Sequence, residues 1–246
     1  MAAGKKPGGN PAGSGKPSGP RWDAILTALE GWREALRKER AAAGDDSGDP
    51  SVTTVAERYR RSPWAVLVST ILSLRTKDEV TLVCSKRLLE KAPAPAALLA
   101  LPEDEVARLA YPAGFYRTKA ASLKKIAAIL INEYGGAVPA DMDTLLALPG
   151  VGRKTANLVL IEAFDLPGIC VDIHVHRISN RTGWVTTKTP EETEMALREK
   201  LPKKYWKGIN ALLVLYGQNL CRPVSPFCSR CVITKHCRRA GVESSR

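Results

Sequence analysis

The sequence predicts an all-α protein. Apolar residues recur at three- and four-residue spacing along most of its 246 residues. No stretch shows the strict alternation of a half-buried strand. Helix start and stop signals fall where those periodic runs begin and end: Ser62-Pro63, Thr189-Pro190 and Gly135-Gly136.

Taken in order, residues 1–20 are Gly, Pro, Ser and Ala with Lys5, Lys6 and Lys16 and no acid before Asp23. Such a composition cannot bury a core and reads as a disordered basic tail. Trp22, Ile25, Leu29, Trp32 and Leu36 then share one helical face, with Arg33, Arg37, Lys38 and Arg40 toward solvent. Gly44 to Pro50 is a loop. Ser62 caps a helix with Pro63 at its first position. That helix is apolar nearly all round, so it belongs at the centre of a helical domain. Thr76 or Asp78 caps the next, which buries Val80, Val83, Cys84 and Leu88. A short helix follows Pro102. After the loop Tyr111 to Tyr116, an amphipathic helix carries Ala120, Leu123, Ile126, Ala127, Leu130 and Tyr134. Thr189 to Glu192 is a capping box. A last helix bears Trp206, Ile209, Leu213 and Tyr216 and runs into Cys221.

Composition narrows the function. A net charge of +12 and a pI near 9.6 favour a polyanionic partner, nucleic acid or an acidic membrane. Aromatic content of 6% argues against single-strand stacking as the main binding mode. No apolar run reaches membrane-spanning length, and the N-terminus has no apolar signal core. An intracellular protein is expected. There, six cysteines are more simply metal ligands or free thiols than a disulfide framework.

Leu148 to Arg177 holds the densest chemistry. A short helix, with Asp143 as its cap, stops at Pro149. Gly150-Val151-Gly152 lets the backbone turn tightly and approach a ligand. A second helix then starts with Arg153, Lys154 and Thr155. Helix, Gly-x-Gly hairpin, helix makes a phosphate cradle, because the free N–H groups of the second helix face outward. Lys154 sits where the helix dipole disfavours its charge, and Arg153 beside it acts the same way. Both favour the neutral amine, the form that attacks carbon. By placement alone, a solvated lysine meeting a phosphate is the simpler reading. Asp172, before a short helical run, reads as an N-cap, and an ionised cap is compatible with a carboxylate held near Lys154.

Cys221, Cys228, Cys231 and Cys237 form a C-x6-C-x2-C-x5-C cluster, which reads as a metal site. Spacing alone leaves zinc and iron–sulfur open, since both take four thiolates. His236 reads as a bystander, Cys84 and Cys170 as packed thiols.

The run LPGVGRKTA, then VDIHVHR, then the four cysteines resembles the endonuclease III branch of the helix-hairpin-helix DNA glycosylases, over roughly Trp22 to Arg239. The resemblance implies two helical lobes around a DNA cleft. One is a six-helix barrel lobe with the hairpin, roughly residues 56–166. The other is an iron–sulfur lobe of residues 21–55 plus 167–246. It implies a [4Fe-4S] cluster on the four cysteines, presenting Arg222, Lys235, Arg238 and Arg239 to phosphates. It also implies base-excision repair of double-stranded DNA by a monomer. Lys154 attacks C1′ of an extruded nucleotide, Asp172 stabilises the sugar cation, and β-elimination cuts the strand 3′ to the abasic site. Oxidised pyrimidines are the implied substrates. Relatives that only remove adenine from mispairs lack a lysine here, so Lys154 argues against that activity. A non-catalytic DNA-binding protein with a zinc-held C-terminus is the alternative from another class. Gly150, Val151, Gly152, Arg153 and Thr155 are carried over as DNA contacts, together with Lys119 and His174, the latter orienting the Asp172 loop. Arg75 stands where relatives often place Gln, and can hydrogen-bond the orphaned base with a preference for guanine. Phe115 stands at a wedge position often held by Leu. His176 has no assigned role.

Overall fold

The computed structural model describes residues 20–44 and 50–246. The expected basic tail, up to Gly19, and most of the expected loop before Pro50 lie outside them. The described residues form twelve α-helices and no strand, so the all-α expectation holds. They are α1 (Trp22–Ala42), α2 (Ser51–Arg58), α3 (Pro63–Ser73), α4 (Asp78–Lys91), α5 (Pro95–Ala100), α6 (Glu103–Ala110), α7 (Tyr116–Tyr134), α8 (Met142–Ala147), α9 (Arg153–Phe164), α10 (Ile173–Thr182), α11 (Pro190–Lys200) and α12 (Ile209–Asn219). Short 3₁₀ turns at Lys203–Tyr205, Cys228–Arg230 and Thr234–His236 complete the chain.

Two separate apolar interiors form. The first draws on α2 to α9 and centres on α3, every residue of which from Trp64 to Leu72 is buried. The second draws on α1, α10, α11 and α12 and reaches Ile233 beside the cysteines. Val52 and Val55 of α2 belong to the first interior. The boundary expected at residue 56 therefore falls inside α2, and the whole helix packs with the first core.

Polar ties join the two interiors. Asn210 donates to the Cys170 carbonyl at 3.1 Å, Gln218 to Asp78 at 3.4 Å, and Lys207 pairs with Asp165 at 2.8 Å. The strongest tie is at Glu194 of α11. Its carboxylate accepts from Arg153 Nε and Nη2 at 3.1 and 2.9 Å and from Arg198 Nε at 3.0 Å. The Glu194 side chain is only 3% exposed. Burial alone would raise its pKa, but the two guanidinium groups outweigh that and hold it below the ordinary value.

Several caps differ from expectation. Asp141, not Asp143, caps α8, accepting from Thr144 N at 2.9 Å. Neither Thr76 nor Asp78 caps α4; Lys77 stands at that N-cap without a side-chain bond. Asp78 instead receives Ser51 N and Oγ at 3.1 and 2.7 Å, across to the first residue of α2. Thr76 serves a loop described below. Ser62 and Thr189 cap α3 and α11 as expected. The periodicity alone did not separate out α2 and α5, which are one and a half to two turns long.

Candidate active site and nucleic-acid interface

The hairpin is built by its glycines and its proline. Leu148 leaves α8 in extended conformation before Pro149. Val151 N donates back to Leu148 O at 3.1 Å and closes the turn. Gly150 has φ +78°, a conformation that side chains rarely tolerate. Gly152, the N-cap of α9, has ordinary extended φ, and a Cβ there would meet nothing within 4 Å. Only the first glycine is conformationally required. The N–H groups of Gly150, Gly152, Arg153 and Lys154 have no acceptor among the described residues. They stand together at the start of a helix, which suits an anion.

The side chains around this backbone sort differently from the sequence expectation. Val151 and Thr155 are buried, so their expected contacts with DNA can only be made by main chain. Arg153 turns away to Glu194, and that pairing raises its already high pKa. It anchors α9, and its charge toward Lys154 is largely offset by the carboxylate it holds. Lys154 itself is half-buried, and its amine has no hydrogen bond or ion pair among the described residues.

Asp172 is the N-cap of α10. One oxygen, Oδ1, accepts from His174 N at 2.8 Å and Val175 N at 2.9 Å. The other, Oδ2, has no protein donor among the described residues. Capping thus occupies one oxygen of the carboxylate and leaves the other open. Lys154 and Asp172 act electrostatically on the same two neighbours, Cys170 and His174. The Cys170 thiol donates to the Lys154 carbonyl at 3.7 Å, and burial pushes its pKa up to about 12. It is a packed, protonated thiol.

His174 is held from behind. Its Nδ1 lies 3.1 Å from Arg177 Nη2, which also donates to the Cys221 carbonyl at 2.9 Å. Burial, with Arg177 and Lys154 near, lowers its pKa against the pull of Asp172, so the ring is neutral at pH 7. Gly217 of α12 makes the space, since a Cβ there would overlap the imidazole. His176 pairs with Thr193 Oγ1 at 2.7 Å and ties α10 to α11.

Across the surface, Arg75 and Phe115 are exposed, and the guanidinium lies 5.4 Å over the ring. Lys119, expected to meet DNA, is buried at 7% exposure and faces main-chain oxygens. Its position at the start of α7 gave no hint of that. Glu194 was also missed. The available signal was a carboxylate on the helical line shared with Leu197 and Leu201.

The four clustered cysteines line one cavity with Tyr216, Leu220, Pro226 and Phe227. Tyr216 Oη donates to Cys231 Sγ at 3.1 Å, Arg181 Nη1 to Cys221 Sγ at 3.4 Å, and Arg239 N to Cys237 Sγ at 3.4 Å. Donors aimed at sulfur suit thiolate ligands. No helix among the described residues is long and apolar enough to cross a membrane.

With this geometry in place, similarity to known proteins decides the family. Residues 68–203 match the model of the HhH-GPD superfamily of base excision DNA repair proteins. Endonuclease III of Thermotoga maritima is 48% identical over 195 residues, 76% of this chain and 92% of the relative. The chain belongs to the endonuclease III family. Endonuclease III of Bacillus subtilis, at 37% identity, covers 79% of the chain and 89% of its own. A solved trapped endonuclease III–DNA covalent intermediate superposes with TM-score 0.69 at 37% identity, covering 72% of this chain and 84% of the other. A thermostable thymine-DNA glycosylase, 24% identical with TM-score 0.67, shares the fold. The family places this protein among DNA glycosylase and abasic-site lyase enzymes of base-excision repair, acting on DNA.

Proposed function

We propose that one active site performs both steps: it removes oxidised pyrimidines from duplex DNA and then cuts the strand. What supports this reading is that Lys154, whose amine has no partner among the described residues, and Asp172, whose Oδ2 accepts no hydrogen bond from them, both act electrostatically on His174 and Cys170, with the Cys170 thiol bonded to the Lys154 carbonyl at 3.7 Å. The hairpin amides grip a phosphate without reading sequence, and the nucleotide swings out of the stack. As the bond from C1′ to the base breaks, Asp172 stabilises the cationic sugar. Lys154 Nζ bonds to C1′, and the base leaves with a proton. Ring opening gives an iminium, which acidifies the 2′ hydrogen. Loss of that proton expels the 3′ phosphate oxygen and cuts the strand. A lysine is needed for this second half, so a glycosylase that only releases base is the weaker reading. The enzyme acts as a monomer.

The cysteines are read as holding a [4Fe-4S] cluster, whose contribution when bound is to stiffen the loop that carries Arg222, Lys235, Arg238 and Arg239. All four thiols line one cavity and three of the four sulfurs receive hydrogen bonds, which suits a four-thiolate site; membership of the endonuclease III family is what favours the cluster over zinc.

The test is borohydride reduction in the presence of an abasic duplex, with metal analysis of the same sample. A covalent protein–DNA adduct together with iron and acid-labile sulfide is expected. Strand cutting without any adduct would refute the lysine mechanism, and zinc in colourless protein would refute the cluster.

A further inference from the structure

We propose that Lys119 is a positioning residue that locks the loops bearing Arg75 and Phe115 into one unit, and so sets which base is accepted opposite the extruded nucleotide. The inference rests on the function proposed above, in which these two side chains enter the gap left in the duplex.

The ammonium of Lys119 has three N–H donors, and the fold uses all of them. They go to Leu72 O at 2.7 Å, Leu74 O at 2.5 Å and Thr76 Oγ1 at 2.9 Å. Two of these acceptors are carbonyls at the C-terminal end of α3, where a positive charge is favoured by the helix dipole. The third belongs to the loop just beyond Arg75. With 7% exposure and no spare donor, Lys119 has nothing left to offer a phosphate.

The same lysine is fixed to the second loop through its backbone. Its N–H donates to Phe115 O at 3.0 Å, in the first turn of α7. Phe115 is the N-cap of that helix, in the left-handed region at φ 56°, and is 62% exposed. Arg75 is left-handed too, at φ 52°. Neither residue prefers that conformation, so the surroundings must impose it.

The surroundings do so by interlocking. Gly114 N donates to Thr76 Oγ1 at 3.0 Å, so Thr76 accepts from both Gly114 and Lys119. A Cβ on Gly114 would stand 2.5 Å from Arg75 O, a distance that side chains do not tolerate. The loops therefore touch main chain to main chain, with Lys119 beneath them and the Arg75 guanidinium over the Phe115 ring above. No carboxylate pairs with Lys119 among the described residues. A cation buried on neutral oxygens organises them much as a bound metal ion organises carbonyls.

Removing the ammonium releases three oxygens at once. Arg75 and Phe115 would then sample positions independently, and discrimination between opposite bases would fall before chemistry does. The experiment measures single-turnover release of one oxidised pyrimidine placed opposite guanine or adenine, for the wild type, Lys119→Met, Arg75→Ala and the double variant. Borohydride trapping on an abasic duplex and thermal melting run in parallel. The wild type is expected to show a guanine-to-adenine rate ratio well above two. Lys119→Met should bring that ratio to within twofold of unity, as Arg75→Ala does, and the double variant should go no further. The adduct should still form with Lys119→Met.

If Lys119→Met keeps the wild-type ratio, or slows release equally opposite both bases, the inference is wrong. A wild-type ratio already within twofold of unity also overturns it. Should Lys119→Met fail to fold, Gly114→Ala tests the same interlock from the other loop and must lower the ratio; an unchanged ratio there rejects the proposal. If the wild type itself forms no adduct, it is the proposed lyase chemistry that fails.

Discussion

Two surface regions of this molecule each rest on one buried charge, and the two charges are satisfied in opposite ways. The hairpin Leu148 to Gly152 runs into α9, and α9 is pinned to α11 by Glu194, whose two arginine partners keep its carboxyl ionised despite burial. The paired loops around Arg75 and Phe115 rest on Lys119, which meets only neutral oxygens. Burial there pushes its pKa down to about 8. A buried ion pair favours its own charge, whereas a buried ion on dipoles is only partly repaid. The hairpin offers bare main-chain N–H groups, which carry no base-specific pattern. The paired loops offer side chains, which can discriminate.

The comparison can be broken first at its chemical end. Lys154→Ala should abolish the borohydride adduct and strand cutting while duplex binding persists, because the hairpin amides remain. An adduct that survives would move the nucleophile elsewhere. Asp172→Asn should slow base release by about 10²- to 10⁴-fold, the range for a lost charge-stabilising or proton-managing group. The asparagine can still cap α10, so melting should barely move. A near-normal release rate would remove Asp172 from the mechanism.

The next test concerns the frames. Glu194→Gln leaves the buried side of Arg153 and Arg198 without its charge and should cost about 3 kcal/mol, read by denaturant titration. Because the folded carboxyl has the depressed pKa, the unfolded chain binds more protons as the solution is acidified. The Glu194 contribution is therefore complete above the ordinary glutamate range and is lost as pH falls through the folded value. The variant should lack that part of the acid slope; an identical slope would show that the pair contributes nothing. The smallest effect is expected at Gly150→Ala. Strain at φ +78° amounts to about 1 kcal/mol, so duplex affinity should weaken by less than about tenfold, equally for every sequence. A sequence-dependent loss would mean that the hairpin reads bases.

How much of this could be read from the residues depends on what each signal measures. The largely apolar α3, the Gly-x-Gly turn and the four cysteines were legible because each is a dense local pattern. Both cores follow largely from periodicity, although Val83, expected on the buried face of α4, is 56% exposed. Periodicity says little about a charge facing inward. Lys119, Arg153 and Thr155 look like surface groups beside a hairpin or loop, yet one is buried, one is paired and one packs inside. Their partners, Leu72, Leu74 and Glu194, lie more than forty positions away or on another lobe. The Asp78 carboxylate misled for the same reason: it caps a helix 27 residues earlier rather than its own.

The interlock at Gly114 has a bearing on how such an enzyme could change its taste. Thr76, Gly114 and Lys119 hold main-chain atoms and take no account of what the neighbouring side chains are. On the reading proposed above, residues 75 and 115 are the tips that meet the opposite base, so single substitutions there that tolerate the left-handed backbone would retune which opposite base is accepted while the main-chain frame stays as it is.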